Sequence, residues 1–316
     1  MPQRTGGAQW RNNCVILIGL VIHALCDALM TQQFSRRLLV AAAGVAALPT
    51  VVGCSESSGL AGANKIPDLT STKENLEGML RMTASLAEED VPWWFDGTIF
   101  GMLGENEPKP LVRFEGWEIY WVRPLGDGAY ELTGHTVTFF YDIETGKMLD
   151  TFDNPYTGKR NNVTASVQGG GAGFGFNYSV DGVRPTKFID KMPDKPLLLQ
   201  WSMVRDAIWM HAETAYPPGM KQPRKQRQTI FAQQADFADR RILKLPAVFT
   251  STVFGNWPRW MDMGNHPGHV IWHASGAKLD SIDDLSPEFR GRLERDHPDR
   301  TTAYPFSGVE KISDFT

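Results

Sequence analysis

Short runs of aromatic and β-branched residues alternate with turn-forming residues between positions 111 and 278, a pattern typical of antiparallel β-sheets. The predicted strands cover residues 114–123, 130–143, 148–152, 161–167, 174–180, 197–215, 227–237, 247–254 and 269–273. Two turns are strongly marked, at 125–129 and at 142–147, because glycine supplies the positive φ that closes a hairpin. The order of these segments predicts an antiparallel meander.

About nine consecutive strands in one domain favour a curled or closed sheet, because a flat sheet of that width leaves two open edges. We therefore expect a mainly β fold, an antiparallel lipocalin-like β-barrel with flanking N- and C-terminal helices. Residues 69–316 are expected to form this single β-rich domain. Trp117, Ile119 and Trp121 alternate with polar residues, so this strand has one strongly aromatic face, which is expected to lie inside.

The two flanking helices have recognisable start signals. Ser71 and Glu74 have the spacing of a capping box, and the apolar residues after them recur at helical spacing. This helix is expected to start at Thr70 and to end before Pro92. A second, short helix is expected from Ser286 onwards, because Pro287 and Glu288 follow a residue suited to capping.

Residues 30–54 have the organisation of an export signal, with a basic start, a short apolar run and small residues before a cleavage site. Arg36 and Arg37, followed by two leucines, resemble the twin-arginine consensus. The apolar run 38–52 is about 15 residues long, which is shorter than the ~20 residues that a membrane-spanning helix needs. The segment therefore predicts export by the twin-arginine translocase.

Residues 51–54 resemble a lipobox, in which Cys54 would receive a lipid. The alternative is ordinary cleavage, with Cys54 nearby by chance. Residues 55–68 are rich in small and polar residues at their start and are expected to act as a linker. Residues 1–29 are interpreted as a mis-annotated upstream extension, with Met30 as the true start. We expect the protein on the periplasmic side of a bacterial membrane, lipid-anchored.

The composition excludes several kinds of chemistry. No cysteine follows Cys54, so the mature domain has no thiolate metal site, internal disulfide or cysteine nucleophile. The net charge of −4 and the lack of a long basic run argue against nucleic acid as a partner. Aromatic residues make up 11% of the chain, and such side chains form either cores or the walls of apolar pockets.

Four stretches resemble one known family. They are residues 141–146, 153–158, 215–218 and 256–264, the last followed by Pro267-Gly268. Together they are similar to the family called domain of unknown function 1838, and the resemblance covers most of residues 75–285. The Trp-Met-x-Met-Gly element, which starts at Trp260, is its most specific part. The resemblance implies no established activity, so function has to be argued from individual sites.

Histidines and a glutamate share strand faces in two places. His211 and Glu213 lie two positions apart, with Trp209 on the same side, and His269 and His273 share a face of the last predicted strand. If the two strands converge, the four polar side chains could bind a divalent metal, or His211, Glu213 and His273 could act as a metal-free acid and base. In the third interpretation, these strand histidines simply face solvent. A divalent metal is thus possible as a cofactor, and none is required.

Residues 257–263 concentrate tryptophan and methionine beside two charged residues. They are interpreted either as a structural plug at the end of the barrel or as the rim of an apolar pocket, in which Arg259 orients a polar group of the ligand. Arg205 is interpreted as a buried ion-pair partner or a charged ligand contact. The predicted ligand-binding residues are Arg205, Trp209, Trp257, Arg259, Trp260 and His269.

Two classes of function remain open. The first is an exported protein that binds a small apolar or aromatic molecule in the barrel cavity. The second is a cofactor-free lyase, isomerase or hydrolase that uses the His/Glu acid-base pair on a hydrophobic substrate. A structural lipoprotein without a ligand is a third, weaker alternative.

Overall fold

An antiparallel sheet of eleven strands forms the framework of the residues that the structure describes. The structure is a computed structural model, and it describes residues 65–104, 106–168, 174–185, 199–215 and 225–303. The predicted export signal with Arg36, Arg37 and Cys54 lies outside these residues. No helix among the described residues is long and apolar enough to cross a membrane.

Thirteen strands and three α-helices follow one another in the described ranges. The strands are β1 Val91–Met102, β2 Lys109–Gly126, β3 Ala129–Tyr141, β4 Thr151–Asp153, β5 Arg160–Asn162, β6 Ser166–Gln168, β7 Phe174–Ser179, β8 Gly182–Pro185, β9 Gln200–Val204, β10 Ala207–Ala215, β11 Lys225–Gln233, β12 Val248–Gly255 and β13 His269–Lys278. The helices are α1 Thr72–Thr83, α2 Gln234–Ala238 and α3 Pro287–Asp296. Short 3₁₀ turns cover Arg259–Met261, Ile282–Asp284 and Pro298–Arg300.

The strands of the large sheet are arranged in the order β8-β7-β3-β2-β1-β13-β12-β11-β10-β9, and β6 pairs with β3 outside this path. Strands β4 and β5 form a separate hairpin. The mainly antiparallel β fold is thus confirmed, but the predicted closed barrel is wrong, because the sheet is open and has β8 and β9 at its ends.

Helix α1 explains why the sheet curves without closing. It contacts both β7 and β11, which are six strand-to-strand steps apart in the sheet. In a flat sheet these strands would be about 29 Å apart, far more than the ~10 Å width of a helix, so the sheet bends around α1. The helix therefore covers the face that a closed barrel would turn inward.

Two apolar clusters lie on opposite faces of the sheet, and each has its own helix. The helix-α1 face is the side on which Leu76, Leu80 and Met82 of α1 pack, and it also holds Trp93 and Phe114. The helix-α3 face is the side on which α3 packs, with its own apolar cluster. That cluster consists of Trp117, Ile119, Val137, Phe139, Tyr141, Leu285, Phe289, Leu293 and Ala303.

The predicted shared face of Trp117, Ile119 and Trp121 is confirmed. It is the helix-α3 face, where Trp117 is completely buried and donates its indole N–H to the Arg300 carbonyl at 2.9 Å. The aromatic side of β2 therefore lies under the C-terminal helix and not on the side that curves around α1. Period-2 alternation identifies which residues share a face but does not identify the element that covers it.

Both flanking helices are present close to their predicted positions. Ser71 is the N-cap of α1, but its side chain makes no capping hydrogen bond, so the predicted capping box is not formed. At α3 the prediction is confirmed, because the Ser286 hydroxyl accepts from the Phe289 N–H at 3.2 Å. Phe289 and Leu293 are fully buried and anchor α3 to the sheet.

Helix α1 is fixed to the segment after β11 by a buried arginine. Arg81 is 3% exposed, and its guanidinium donates to the carbonyls of Ile242 at 2.7 Å, Phe237 at 3.0 Å and Asp239 at 2.6 Å. A longer bond of 3.3 Å reaches the Asp236 carbonyl. Burial lowers the pKa of Arg81. The neutral acceptors thus satisfy a buried cation that holds α1 against α2.

Candidate functional site

Two of the sequence stretches that carry the family resemblance pack against each other. Asn154 is 2% exposed in the β4–β5 turn, and its amide donates to the Met261 carbonyl at 2.7 Å and contacts the Met263 sulfur at 3.2 Å. Its carbonyl oxygen accepts from the N–H groups of Tyr156 at 2.9 Å and Thr157 at 3.4 Å. One buried side chain therefore both shapes its own turn and positions the segment 256–264.

The turn around Asn154 has a close local counterpart at Asp142. The Asp142 N–H donates to the Lys147 carbonyl at 2.8 Å, and the Gly146 N–H donates to the Asp142 carbonyl at 2.9 Å. The same two bonds, at 2.8 and 2.9 Å, close residues 154–159. Of the two residues, Asn154 is buried and Asp142 is not, so the Asn154 amide has a role beyond turn formation.

The segment 256–268 is held in place by buried methionines and a constrained glycine. Met261 and Met263 are 1% and 4% exposed, and Asp262 between them is in the left-handed region at a φ of 46°. Gly268 has a φ of 105°, and a Cβ there would overlap the Met102 carbonyl and lie 3.1 Å from the Trp257 ring. These features place the side chains of Trp257 and Trp260 over the end of the sheet.

Six aromatic rings lie on the helix-α1 face near one end of the inner strands β1, β3 and β13, in two contacting groups. Trp260 lies with its ring centroid 5.0 Å from that of Phe140 and 5.4 Å from that of Phe152. The Phe140 and Trp272 centroids are 5.8 Å apart, and those of Tyr156 and Trp257 are 5.2 Å apart. We call this set the aromatic cluster. It consists of Phe140, Phe152, Tyr156, Trp257, Trp260 and Trp272.

The aromatic cluster is only partly covered by the rest of the protein. Phe140 is 1% exposed and belongs to the core. The other five rings are half-buried and pack against this core. Tyr156 lies directly over Gly101 of β1, where a Cβ would overlap its ring and hydroxyl. Burial raises the pKa of Tyr156, so its hydroxyl stays neutral and keeps its proton at physiological pH.

Three buried polar atoms around the cluster have no hydrogen-bond partner among the residues that the structure describes. They are the indole N–H groups of Trp257 and Trp260 and the side-chain oxygen of Asn161. Asn161 on β5 lies opposite Phe152 on β4. Strand β5 also contacts the 3₁₀ turn that carries Trp260. An unsatisfied buried polar group costs about 1–3 kcal/mol, so three at one end of the sheet are unusual for a purely structural plug.

The charged residues of this region lie at its exposed margin. Lys159 Nζ lies 3.0 Å from Asp262 Oδ2, and both side chains are 62% exposed. Arg259 is also exposed. The buried part of the site therefore presents ring faces, neutral N–H donors and an amide, but no buried charge.

The predicted acid/base and metal residues lie on the helix-α3 face, on strands that are not neighbours. His211 and Glu213 are on β10, whereas His269 and His273 are on β13. Strands β11 and β12 lie between them, so about 14 Å, or three inter-strand spacings, separates the two pairs. The expected convergence is not found. Among the described residues, no group of three or more His, Cys, Asp or Glu side chains is placed to hold a metal ion.

Two of these histidines instead form hydrogen bonds with threonines of adjacent strands. His211 Nδ1 lies 3.1 Å from Thr229 Oγ1, and His273 Nδ1 lies 3.1 Å from Thr252 Oγ1. Glu213 and His273 are exposed, and His211 is half-buried. The arrangement is that of polar pairs along an open sheet face, on the side of the sheet opposite the aromatic cluster.

The structure separates the six predicted ligand-binding residues into two groups. Trp257, Arg259 and Trp260 lie together at the aromatic cluster. Arg205 is an exposed residue of the β9–β10 turn with a φ of 56°, and Trp209 packs on Phe231 with ring centroids 4.7 Å apart. His269 starts β13 on the helix-α3 face, with its ring 6.3 Å from that of Phe254. These three do not belong to the cluster.

Sequence reasoning did not identify Phe152, Tyr156 and Asn161 as site residues. The stretch 153–158 carried part of the family resemblance, but nothing in it indicated what it contacts. The one available signal was that an asparagine in such a turn can use its amide for a second, distant contact. Phe140 and Trp272 read as ordinary strand residues.

The protein is a curved, open antiparallel sheet wrapped on helix α1. The aromatic cluster lies near one end of the inner strands β1, β3 and β13. The chain belongs to the family described as protein of unknown function (DUF1838), whose model matches residues 88–168 and 215–311. The predicted resemblance is thus confirmed. All six rings of the aromatic cluster lie in the matched ranges, whereas Arg205, Trp209, His211 and Glu213 lie outside them. No curated protein and no solved structure matches the chain.

Proposed function

We propose that the chain is an exported small-molecule-binding protein whose aromatic cluster holds an apolar or aromatic ligand. The observation that carries this proposal is the half-buried state of five large rings that pack against the buried core containing Phe140. Large aromatic side chains with a few polar groups among them are the usual lining of small-molecule sites. The unpaired polar atoms of Trp257, Trp260 and Asn161 supply such groups.

The location of the protein is part of the same proposal. Arg36 and Arg37 direct export, and lipid on Cys54 anchors the protein on the periplasmic side of the membrane. A Cys54→Ala variant should still be exported but should be recovered in the soluble periplasmic fraction. A variant that stays in the membrane fraction would contradict the lipid anchor without affecting the proposed ligand site.

Binding is tested with N-phenyl-1-naphthylamine, a neutral apolar dye whose fluorescence rises in an apolar site. The purified mature protein should bind the dye saturably at one site. Trp260→Leu removes the ring that contacts Phe140 and Phe152, so the dissociation constant should rise at least about tenfold, equivalent to ~1.4 kcal/mol.

Trp121→Leu is the matched control, because Trp121 is a half-buried tryptophan of the helix-α3 face. This variant should bind the dye like the unmodified protein, and thermal unfolding should show that both variants are folded. Non-saturable binding, or an equal loss of affinity in the two variants, would contradict the proposal.

A further inference from the structure

Three tryptophans of β1 and β2 have acceptors for their indole N–H groups. Trp93 donates to the Thr83 carbonyl at 2.8 Å, Trp94 to the Glu115 carboxylate at 2.7 Å and Trp117 to the Arg300 carbonyl at 2.9 Å. Trp257 and Trp260 depart from this pattern, together with Trp201, which lies on the edge strand β9 and packs on Phe237. The fold thus supplies acceptors at some positions and leaves two neighbouring positions of one segment without them.

An indole N–H can only donate, so only an acceptor can satisfy it. Buried polar groups are nearly always paired in native proteins, and an exception at a candidate site points to a group that binds there. Because the nearby charges of Lys159 and Asp262 pair with each other at the exposed margin, the buried part of the cluster favours a neutral acceptor over an anion.

We infer that the ligand of the aromatic cluster is a neutral planar molecule with a carbonyl-type oxygen, which accepts from the indole N–H of Trp257 or Trp260. The aromatic body packs against the half-buried rings, and the oxygen lies in the plane of an indole. This inference rests on the proposed function and adds the polar part of the ligand to it. A hydrocarbon of the same shape would leave the N–H group unpaired and would bind less tightly.

The test compares 2-acetylnaphthalene with 2-isopropenylnaphthalene, in which a CH₂ group replaces the carbonyl oxygen at nearly the same shape. Affinities are measured by displacement of N-phenyl-1-naphthylamine from the mature protein. The ketone should bind about five- to tenfold more tightly than the hydrocarbon, although it is better solvated by water. In the double variant Trp257→Phe/Trp260→Phe the rings remain and this preference should disappear.

Trp272→Phe is the control for a ring change inside the cluster, since the Trp272 N–H is not among the buried unpaired atoms of the described residues. It should keep the preference for the ketone, whatever its effect on overall affinity. Equal binding of the two probes, as expected if water satisfies the indoles, or a preference that survives in the double variant would overturn the inference and leave the proposed function standing. If neither probe binds, the proposed function itself fails.

Discussion

Asn154 and Met261 lie 107 positions apart in the chain, and the Asn154 amide donates to the Met261 carbonyl at 2.7 Å in a buried environment. This one bond connects the β4–β5 hairpin with the segment that carries Trp257 and Trp260. The geometry of the aromatic cluster therefore depends on a contact between two distant turns.

Asn154→Ala should destabilise the protein and weaken ligand binding together. The change leaves the Met261 carbonyl unpaired and removes the acceptor for two turn N–H groups, which predicts a loss of about 2–3 kcal/mol in unfolding free energy. Chemical denaturation and dye titration measure the two effects.

Asp142→Ala provides the control for Asn154→Ala. The Asp142 carboxylate accepts from the Thr145 N–H at 2.7 Å in the equivalent turn, at an exposed position. Removing this purely local bond should cost less than about 1 kcal/mol and leave dye binding unchanged. Equal effects of the two substitutions would show that the contact with Met261 contributes nothing.

Gly116→Ala should disrupt the packing of the helix-α1 face. A Cβ at Gly116 would overlap the tip of the Phe95 ring, which belongs to the residue paired with Gly116 on β1. Overpacking of this kind lowers the unfolding free energy by about 1–3 kcal/mol. Gly255→Ala on β12 adds the same methyl where no atom lies within 4 Å, so its midpoint of unfolding should stay close to that of the unmodified protein.

Arg81→Met should lower the unfolding free energy by about 3 kcal/mol, because it leaves the carbonyls of Phe237, Asp239 and Ile242 without their donor. Arg240→Met is the comparison, since Arg240 is about half-exposed and, within the described part of the chain, pairs with Glu74 and Glu77. Because exposed ion pairs contribute little to stability, this substitution should lower the unfolding free energy by less than about 1 kcal/mol. Urea unfolding of both variants measures the difference, and a loss at Arg240 as large as that at Arg81 would contradict the role given to burial.

Asp90 should make stability depend on pH in the sense opposite to most carboxylates. Burial raises the pKa of Asp90, against the effect of the hydrogen bond from the Ala303 N–H. A carboxyl group whose pKa is raised by folding gives its full stabilisation at pH values below its pKa in the unfolded chain. This stabilisation is lost as the pH rises through the pKa that the group has in the folded protein. Asp90→Asn keeps an acceptor for Ala303 and should therefore raise Tm more at pH 7 than at pH 4.

Asp142→Asn tests the sign of this effect. The hydrogen bond from the Thr145 side chain holds the pKa of Asp142 below its usual range, so its stabilisation is present above the unfolded pKa and lost as the pH falls. This substitution should lower Tm at pH 7, and its effect should shrink only as the pH falls below the ordinary pKa of 3.8. Thermal unfolding at the two pH values would contradict the assignment if both variants changed Tm in the same direction.

The fold could be predicted from the sequence where the signal is local. The Asp127-Gly128 turn between β2 and β3 has φ values of 51° and 72°, as the Asp-Gly pair of a type I′ hairpin requires. The cap at Ser286 is another such case. The turn at Arg205 lacks a glycine or asparagine, so residues 197–215 were predicted as one strand, whereas the structure has β9 and β10 there.

The central strand β1 could not be predicted because glycines interrupt its pattern. Gly97 and Gly101 weaken a strand prediction, but a Cβ at Gly97 would overlap the His273 carbonyl, and a side chain at Gly101 would displace Tyr156. The need for glycine at these positions comes from neighbours on β13 and in the β4–β5 turn. Only the folded chain shows which residues those neighbours are.

The candidate site was predicted in part for a similar reason. Trp257 and Trp260 could be identified from composition and motif, because tryptophan and methionine concentrate in one short segment. His211 and His273 could be assigned to strand faces by alternation, but the order of strands in the sheet places β11 and β12 between them. Strand order depends on long-range pairing, and a single sequence without local pairing signals does not specify it.

A small molecule bound at Trp257 and Trp260 would change the indole N–H signals of these residues in ¹⁵N-tryptophan-labelled protein. The chain has ten tryptophans, and Trp→Phe substitutions assign their signals. On addition of 2-acetylnaphthalene, the account predicts that the signals of Trp257 and Trp260 shift saturably while those of Trp94, Trp117 and Trp121 stay in place. Signals of Trp257 and Trp260 that do not move, or shifts confined to the helix-α3 face, would contradict it.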